Sequence, residues 1–394
     1  MYCSKRCQSG AWRKHKAACE AAREAADRAS DGPSADTRGL KAVADANGYE
    51  AVVEAMRGHV QSASTQARAC MVLRDLMNSS PANALRAAQA NAFEAVLGGM
   101  HAHPDTEAVQ AEACYTLMVL TSCGLLHINM AGRNTGSVEA LVTAMRAHAT
   151  CAEVQAMGCA SLLNIMSGSV ENKIMAANAG AIEAVVTAMR AHLETHGVQA
   201  EGCGALRNLT NAPPEIKTRA WNAGVVQVLV AAMRGYLQNV HVQGEACAAL
   251  RIMLMNRSQE DKLVAWKAGV IEVVVAAARG YVDNEPIQAR ACGVLDSVVN
   301  DDTERARAGA AGAVEVVVEA SLQHAGSVDV QLLAYSGLAK MIYGSAANQT
   351  RAVEAGILDA AVAAMRAHPG NATVQLRVRL LNRDPGNIRP STIP

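Results

Sequence analysis

Apolar side chains recur along this chain with the spacing of helices, and the pattern is clearest between Glu171 and Asn211. Within this stretch, residues 181–192 place apolar side chains at i, i+3, i+4 and i+7, the stripe of a helix that buries one face. The preceding segment ends at Gly180, and glycine readily adopts the left-handed conformation that terminates a helix. A further apolar stripe begins near Gln199. The stretch therefore predicts three consecutive helices.

This three-helix unit repeats along the chain. A glutamine at the start of the third helix recurs at separations of 43 to 45 residues, at Gln66, Gln110, Gln155, Gln199, Gln243, Gln288, Gln331 and Gln375. Glycines that would end the first helix recur 19 residues before the last five of them, at Gly180, Gly224, Gly269, Gly312 and Gly356. A fixed period of this length indicates helical repeats stacked into a solenoid, in which each unit buries its apolar face against its neighbours.

The third helix has the most regular columns of residue types. Three residues after each of the first seven glutamines the side chain is small, and seven residues after it is a leucine. Small residues let helices approach closely, and leucine fills the space between repeats, so these columns predict the core. The leucines are Leu73, Leu117, Leu162, Leu206, Leu250, Leu295 and Leu338. The last unit lacks both columns and meets Pro385, which predicts a polar end cap.

The pattern resembles the armadillo repeat family over about nine tenths of the chain. The resemblance rests on the Ala-Gly pair before each second helix and on third helices such as residues 198–209, VQAEGCGALRNL. It implies an all-α fold, an armadillo-type right-handed α-solenoid of about eight three-helix repeats, over residues 37–384, followed by a tail at 385–394. HEAT repeats are the alternative, although they have two helices and usually a shorter period.

The resemblance also implies a concave groove lined by residues five and nine positions after each glutamine. In importin-like members these positions carry a ladder of Trp and Asn, but here the fifth position holds no Trp, and the ninth holds Asn only at Asn164 and Asn208. Classical nuclear-import cargo is therefore not expected. The small residues from Ala160 to Gly293 predict a smooth apolar floor that could accept a helix or hydrophobic strand. The expected partner contacts are Asn164, Arg207, Asn208 and Arg251.

Composition excludes several classes of function. Lys plus Arg equals Asp plus Glu at 36 each, so no global field attracts nucleic acid, and 3% aromatic residues cannot build a base-stacking platform. No segment approaches the ~20 apolar residues of a membrane span. We expect a monomeric cytoplasmic protein, with the nucleus as the alternative compartment. No phosphate loop, dinucleotide turn or nucleophile elbow is present, so we expect no catalysis.

Three further columns have structural interpretations. Cysteines four positions after the glutamines predict buried, reduced thiols, at Cys70, Cys114, Cys159, Cys203, Cys247 and Cys292. His or Tyr seven positions before each glutamine, and Arg two positions earlier in six units, are expected to cap the carbonyl end of the second helix. Trp221 and Trp266 share a column in the first helix and are expected in the core.

The first residues carry a different kind of chemistry. Cys3, Cys7, His15 and Cys19 have the short paired spacings of zinc ligands in an intracellular protein. The string from Tyr2 to Cys19 closely resembles the second half of a MYND zinc finger. That family holds two zinc ions with eight ligands, so the resemblance implies that Cys3 and Cys7 bind one ion and that His15 and Cys19 bind another, each with an upstream cysteine pair.

The upstream cysteine pairs are absent before Met1. Either the natural protein begins further upstream, which we favour, or the four residues share one zinc ion, which four-coordinate geometry permits. MYND fingers dock proline-containing peptides, and Gln8 and Trp12 match the positions expected to line that groove. Trp12 could instead pack the short helix onto the zinc site. Residues 1–19 are thus a partial finger, and residues 20–36 are a helix running into a linker.

Together these features predict a protein–protein interaction scaffold or adaptor with two surfaces, the finger and the groove, and zinc as its cofactor. Two alternatives remain open from the sequence. The chain could be a transport receptor that carries cargo peptides in its groove, or a non-catalytic piece of a larger MYND regulatory protein.

Overall fold

A computed structural model describes residues 48–78, 81–122 and 136–383. These residues form 22 helices, numbered α1 to α22 in chain order, and no strand. They fall into the three classes that the repeat predicts, and the all-α solenoid fold is confirmed. No described helix combines the length and the apolar composition needed to cross a bilayer.

The helices of each class occupy equivalent places in successive repeats. The first helices are α3 (Pro81–Gln89), α8 (Val170–Ala179), α11 (Pro214–Asn222), α14 (Gln259–Ala268), α17 (Asp302–Ala311) and α20 (Ala346–Glu354). The second helices are α1 (48–58), α4 (Ala92–Ala102), α6 (Gly136–Ala147), α9 (Ala181–Ala191), α12 (Val225–Gly235), α15 (Val270–Gly280), α18 (Ala313–Gln323) and α21 (Ile357–Ala367). The third helices are α2 (Ala63–Asn78), α5 (Glu107–Ser122), α7 (Ala152–Met166), α10 (His196–Thr210), α13 (Val240–Leu254), α16 (Glu285–Val298), α19 (Val328–Ile342) and α22 (Ala372–Arg383).

The repeats stack into two layers. Each third helix packs against the next third helix, from α2 to α22, and from α4 onward each second helix packs against the next second helix. One continuous core, from Tyr49 to Leu381, lies between the layers. All seven column leucines are fully buried. The small column is explained by the second helices: a Cβ on Gly158 would lie 2.7 Å from Met145 Cγ, and one on Gly202 would lie 2.7 Å from Met189 Cγ.

The junction between first and second helices depends on a left-handed residue. Gly180, Gly224, Gly269, Gly312 and Gly356 all have φ between +83° and +92°, as predicted for the glycine that ends the first helix. The guanidinium of an arginine in the preceding repeat also occupies the space that a Cβ would need at the first four of these glycines. The glycine column therefore serves both the turn and the contact between repeats.

The cysteine column is buried as expected. All six thiols are free and at most 2% exposed. Loss of solvation raises the pKa of Cys247 to about 12, so this thiol stays protonated and inert. Trp266 is buried and donates from Nε1 to Val298 O at 3.2 Å. Trp221 is only half-buried, with the Arg257 guanidinium 4.7 Å above its ring.

The glutamine that marks the period joins the third helix to the second. Gln199 Nε2 donates to Met189 O at 2.8 Å and to His192 O at 3.0 Å, both at the carbonyl end of α9. The same two bonds form at all eight glutamines. Each glutamine thus satisfies carbonyls that the helix end leaves without partners.

The prediction that the His/Tyr and Arg columns cap the carbonyl end of the second helix is wrong, because the glutamines already donate hydrogen bonds to carbonyls there. His192 Nε2 instead meets Ala149 O of the preceding repeat at 2.8 Å, and Tyr236 donates to Leu193 O at 3.0 Å. The arginines reach in the other direction: Arg234 donates to Ala268 O of the following repeat at 3.0 Å. Both columns connect successive repeats.

The final third helix is less polar than expected. Val374, Val378 and Leu381 of α22 are buried, so this helix packs against the core. Leu376 and Leu380 are 54% and 51% exposed on its other side. The prediction of a polar end cap was based on the loss of the two regular columns, and it missed that two leucines take exposed positions.

Candidate functional site

The third helices present a face that the second helices leave uncovered. A cavity of about 610 Å³ lies on it, and its lining comes from α13, α16, α19 and α22 alone. The lining residues stand at recurring positions relative to each glutamine, mainly two before and one, two, five and eight after. We call the side chains two, five and eight positions after the glutamines the third-helix face.

At two of the junctions between neighbouring third helices, an arginine and a glutamate form an ion pair across this face. Arg74, eight positions after its glutamine, meets Glu112, two positions after the next glutamine, with Nη1 and Oε2 2.7 Å apart. Arg207 and Glu245 form the same pair between α10 and α13. The Arg74 and Glu112 side chains are only 14% and 7% exposed, so this pair is better shielded from solvent than a typical surface pair.

The other five junctions lack this pair, including those between α7 and α10 and between α13 and α16. Between α7 and α10 the two positions hold Leu163 and Glu201. Glu201 makes no ion pair with any described residue. Burial, and to a lesser extent the nearby Glu245 carboxylate, raise the pKa of Glu201 to about 7. Between α13 and α16 the positions hold two arginines, Arg251 and Arg290.

The predicted smooth apolar floor is not open. A Cβ on Gly204 would lie 2.9 Å from Leu163 Cδ2, and one on Gly293 would lie 2.6 Å from Arg251 Cδ. The small residues five positions after the glutamine therefore accommodate side chains that extend across from the preceding third helix. This face is shaped by Leu163 and Arg251 rather than by bare backbone, which corrects the expectation of an apolar groove.

The two predicted asparagines lie between third helices. Asn208 is 5% exposed, and its Nδ2 donates to Leu163 O at 2.9 Å and to Ser167 Oγ at 3.3 Å. Asn164 likewise donates to Met118 O at 3.2 Å. These amides join each helix to the end of the preceding one. Their contact with a partner stays a prediction, as it does for Arg207, held by Glu245, and for Arg251, which lines the cavity.

The sequence interpretation missed the acidic and basic residues two positions after the glutamines, above all Glu201 and Arg290. A signal existed in the sequence, because Arg74 and Glu112 are 38 residues apart and so are Arg207 and Glu245. Using this signal requires knowing which positions face each other across the stack.

The predicted zinc ligands Cys3, Cys7, His15 and Cys19, and the predicted peptide contacts Gln8 and Trp12, lie outside the described residues. Within the part of the chain that is described, no group of three or more His, Cys, Asp or Glu side chains could hold a metal ion.

Comparison with known proteins supports the repeat architecture. The family described as LRRK2 ARM repeat matches residues 43–213 and residues 164–375. No curated protein matches the chain.

Several solved structures share the fold. An engineered protein from the Northeast Structural Genomics Consortium is 22% identical, with 91% of this chain and 93% of that one covered and a TM-score of 0.56. A second one is 25% identical, covering 64% of this chain and 96% of that one, with a TM-score of 0.52. A structure of computationally designed armadillo repeat proteins for modular peptide recognition is 20% identical, covering 61% of this chain and 97% of that one, with a TM-score of 0.50.

Proposed function

The chain belongs to the armadillo-repeat family described as LRRK2 ARM repeat, and we propose that it is a non-catalytic scaffold that binds peptide segments of partner proteins along its third-helix face. The cavity lined by four consecutive third helices is the observation that carries this proposal. Its walls mix arginine, aspartate and leucine side chains, which suits recognition of a polypeptide with several kinds of side chain. One structure of similar fold was designed for modular peptide recognition, which agrees with this role.

The proposal is tested by selecting short random peptides against the full chain and mapping where they bind. Ala248 lies on the third-helix face of α13 and is partly exposed, so Ala248→Arg places a long charged side chain in the path of a bound peptide. Ala347→Arg is the matched control, because it makes the same change on the exposed side of the first helix α20. We expect selected peptides to lose binding with Ala248→Arg and to keep it with Ala347→Arg. Failure to enrich any peptide, or equal binding to both variants, would contradict the proposal.

We also propose that Cys3, Cys7, His15 and Cys19 bind zinc and that the scaffold has a second, finger-based surface. Three thiolates and one imidazole are a donor set that zinc prefers, and this chemistry is the support for the proposal. Bound zinc would hold the short segment folded, so that Gln8 and Trp12 could contact a proline-containing peptide.

Zinc content per chain tests this second surface. We expect the full chain to retain zinc after purification without chelator, and we expect Cys7→Ser and a chain beginning at Asp36 to lose it. Cys151→Ser serves as the control, since Cys151 is a partly buried thiol at the start of α7, far along the chain from the proposed ligands. Absence of zinc from the full chain would contradict the zinc proposal. It would leave the proposal of peptide binding at the third-helix face untouched.

A further inference from the structure

The junction between α13 and α16 differs from the two junctions that carry an Arg–Glu pair. Where the α2–α5 and α10–α13 junctions place an arginine opposite a glutamate, this one places Arg251 and Arg290 at the same positions. Arg290 Nη1 is 3.8 Å from Glu245 Oε1, but Glu245 already pairs with Arg207. One carboxylate therefore serves two guanidinium groups. Arg251 makes no ion pair with any described residue.

Glycines on the facing helices leave room for these arginines. Arg251 Cδ lies 2.6 Å from the point that a Cβ on Gly293 would occupy, and Arg290 Nη1 lies 2.9 Å from the corresponding point on Gly244. Each side chain thus lies across its neighbour helix where any larger residue would displace it.

Three carboxylates, Glu285, Asp296 and Asp329, line the same cavity, but none of them forms an ion pair with these arginines. Asp296 already has partners: its Oδ1 lies 2.8 Å from Lys340 Nζ and accepts a hydrogen bond from the Ser336 hydroxyl at 2.9 Å. Arg377 of α22 contributes a third guanidinium to the lining, and it too has no ion pair among the described residues. Leu332, Leu333 and other apolar residues form part of the wall, which strengthens any ion pair formed there by excluding water.

We propose that this cavity is a carboxylate subsite, in which Arg251 and Arg290, with Arg377 at the far wall, receive an Asp or Glu side chain of a peptide lying along the third-helix face. The inference rests on the proposed peptide-binding function and adds the chemistry of one position of the ligand. A guanidinium fork matches a carboxylate with two parallel hydrogen bonds, and the bound carboxylate supplies the ionic partner that Arg251 lacks within the described part of the chain.

The test uses peptides selected against the full chain, each resynthesised with its acidic residues changed one at a time to the amide. We expect one Asp or Glu position to dominate, with Glu→Gln or Asp→Asn there weakening binding about tenfold or more, the size of a lost charge-assisted hydrogen bond. Arg251→Gln in the protein should cause the same loss, and the two changes together should cost little more than either alone. Thermal unfolding of each variant checks that the fold is intact.

Two more variants separate charge from position. Gly293→Ala keeps every charge but forces Arg251 to move, so it should weaken the acidic peptide and leave the amide peptide unchanged. Arg290→Glu supplies Arg251 with an internal carboxylate and should abolish the acidic preference. Arg366→Gln is the control, because Arg366 is an exposed arginine of the second helix α21, away from this face.

The outcomes distinguish the inference from the function on which it rests. Peptides that bind through the third-helix face with no acidic preference, or that ignore Arg251→Gln, would overturn the carboxylate subsite and leave peptide binding in place. Selection of no peptide at all would contradict both proposals.

Discussion

Single side chains hold the repeats together through backbone carbonyls. Glutamine crosses from the third helix to the end of the second within one repeat, while His and Tyr reach back to the preceding repeat and Arg reaches forward to the next. A buried carbonyl without a partner costs free energy comparable to a lost hydrogen bond. The regular columns in the sequence therefore reflect hydrogen bonding to backbone carbonyls as much as apolar packing.

Gln199→Ala should destabilise the fold. The substitution removes two hydrogen bonds, leaves Met189 O and His192 O without these donors, and creates a void where the glutamine side chain was. We therefore expect a loss of about 2–4 kcal/mol in the free energy of unfolding. Urea or guanidinium denaturation measures it. Gln375→Ala is the matched control, since Gln375 makes the same bonds but is only partly buried, and its loss should be smaller. Equal losses of unfolding free energy in the two variants would show that burial of the glutamine does not determine the effect of removing it.

Glu201 should make stability depend on pH. Its pKa in the folded protein is raised from the ordinary value of 4.5 to about 7, so the folded state binds the proton more tightly than the unfolded state does. The free energy of unfolding should therefore fall as the pH rises between these two values. Glu201→Gln removes this dependence and should be more stable than the unchanged protein by about 1–3 kcal/mol above neutral pH.

Denaturation curves on both sides of this pH window check the prediction for Glu201. Glu319→Gln, on the exposed side of α18, is the control for the loss of one negative charge. A pH dependence that survives in Glu201→Gln would assign it to another group.

At the scale of helices, the repeat depends on sharp transitions between consecutive elements. Each of the last five first helices ends one or two residues before a left-handed glycine, and the second helix begins directly after it. The short connection sets the angle between the two helices, and the glycine leaves space for an arginine from the previous repeat. The third helices then form the third-helix face, because only one side of each contacts the second helices.

Gly224→Ala should destabilise the junction between α11 and α12. Gly224 has φ of +84°, which costs an L-residue about 1–2 kcal/mol, and the new Cβ would also displace the Arg190 guanidinium. Gly235→Ala is the control: it stands at the exposed end of α12 with no atom near its Cβ position, so it should be neutral or stabilising by up to about 1 kcal/mol. Thermal or chemical denaturation compares the two. A neutral Gly224→Ala would mean that the junction tolerates another backbone conformation.

At the scale of the whole molecule, stability is carried by contacts between neighbouring repeats. The third-helix layer runs unbroken from α2 to α22, and every helix in its interior has a neighbour on each side. Such arrays behave as chains of coupled units, and their ends open more readily than their middle. The third-helix face is also continuous, so a bound peptide could contact several repeats at once.

Amide hydrogen exchange should show that local stability is higher in the middle of the array than at its end. We expect the amides of α10 and α13, packed between third helices on both sides, to exchange roughly tenfold or more slowly than those of α22 after correction for intrinsic rates. Leu376 and Leu380 on the exposed side of α22 agree with a helix that is packed on fewer sides. Uniform protection from α10 to α22 would instead indicate one cooperative unit.

The sequence alone was sufficient for the repeat period, the three helix classes, the left-handed glycines and the buried Leu and Cys columns. These features are local or recur with the period, so periodicity of apolar and small residues reports them directly. The same reasoning misassigned the His/Tyr and Arg columns, because it considered only carbonyls of the helix to which they belong.

Only the tertiary structure decided which side chains meet across the stack. The pairing of Arg74 with Glu112, the solitary Glu201, and the facing arginines Arg251 and Arg290 all depend on how far each third helix is offset from the next. That offset depends on side-chain packing between helices, such as Leu163 against Gly204 and Arg251 against Gly293. A sequence specifies the residues of each column, whereas the packing distance and rotation between repeats determine which columns become neighbours and hence what the face can bind.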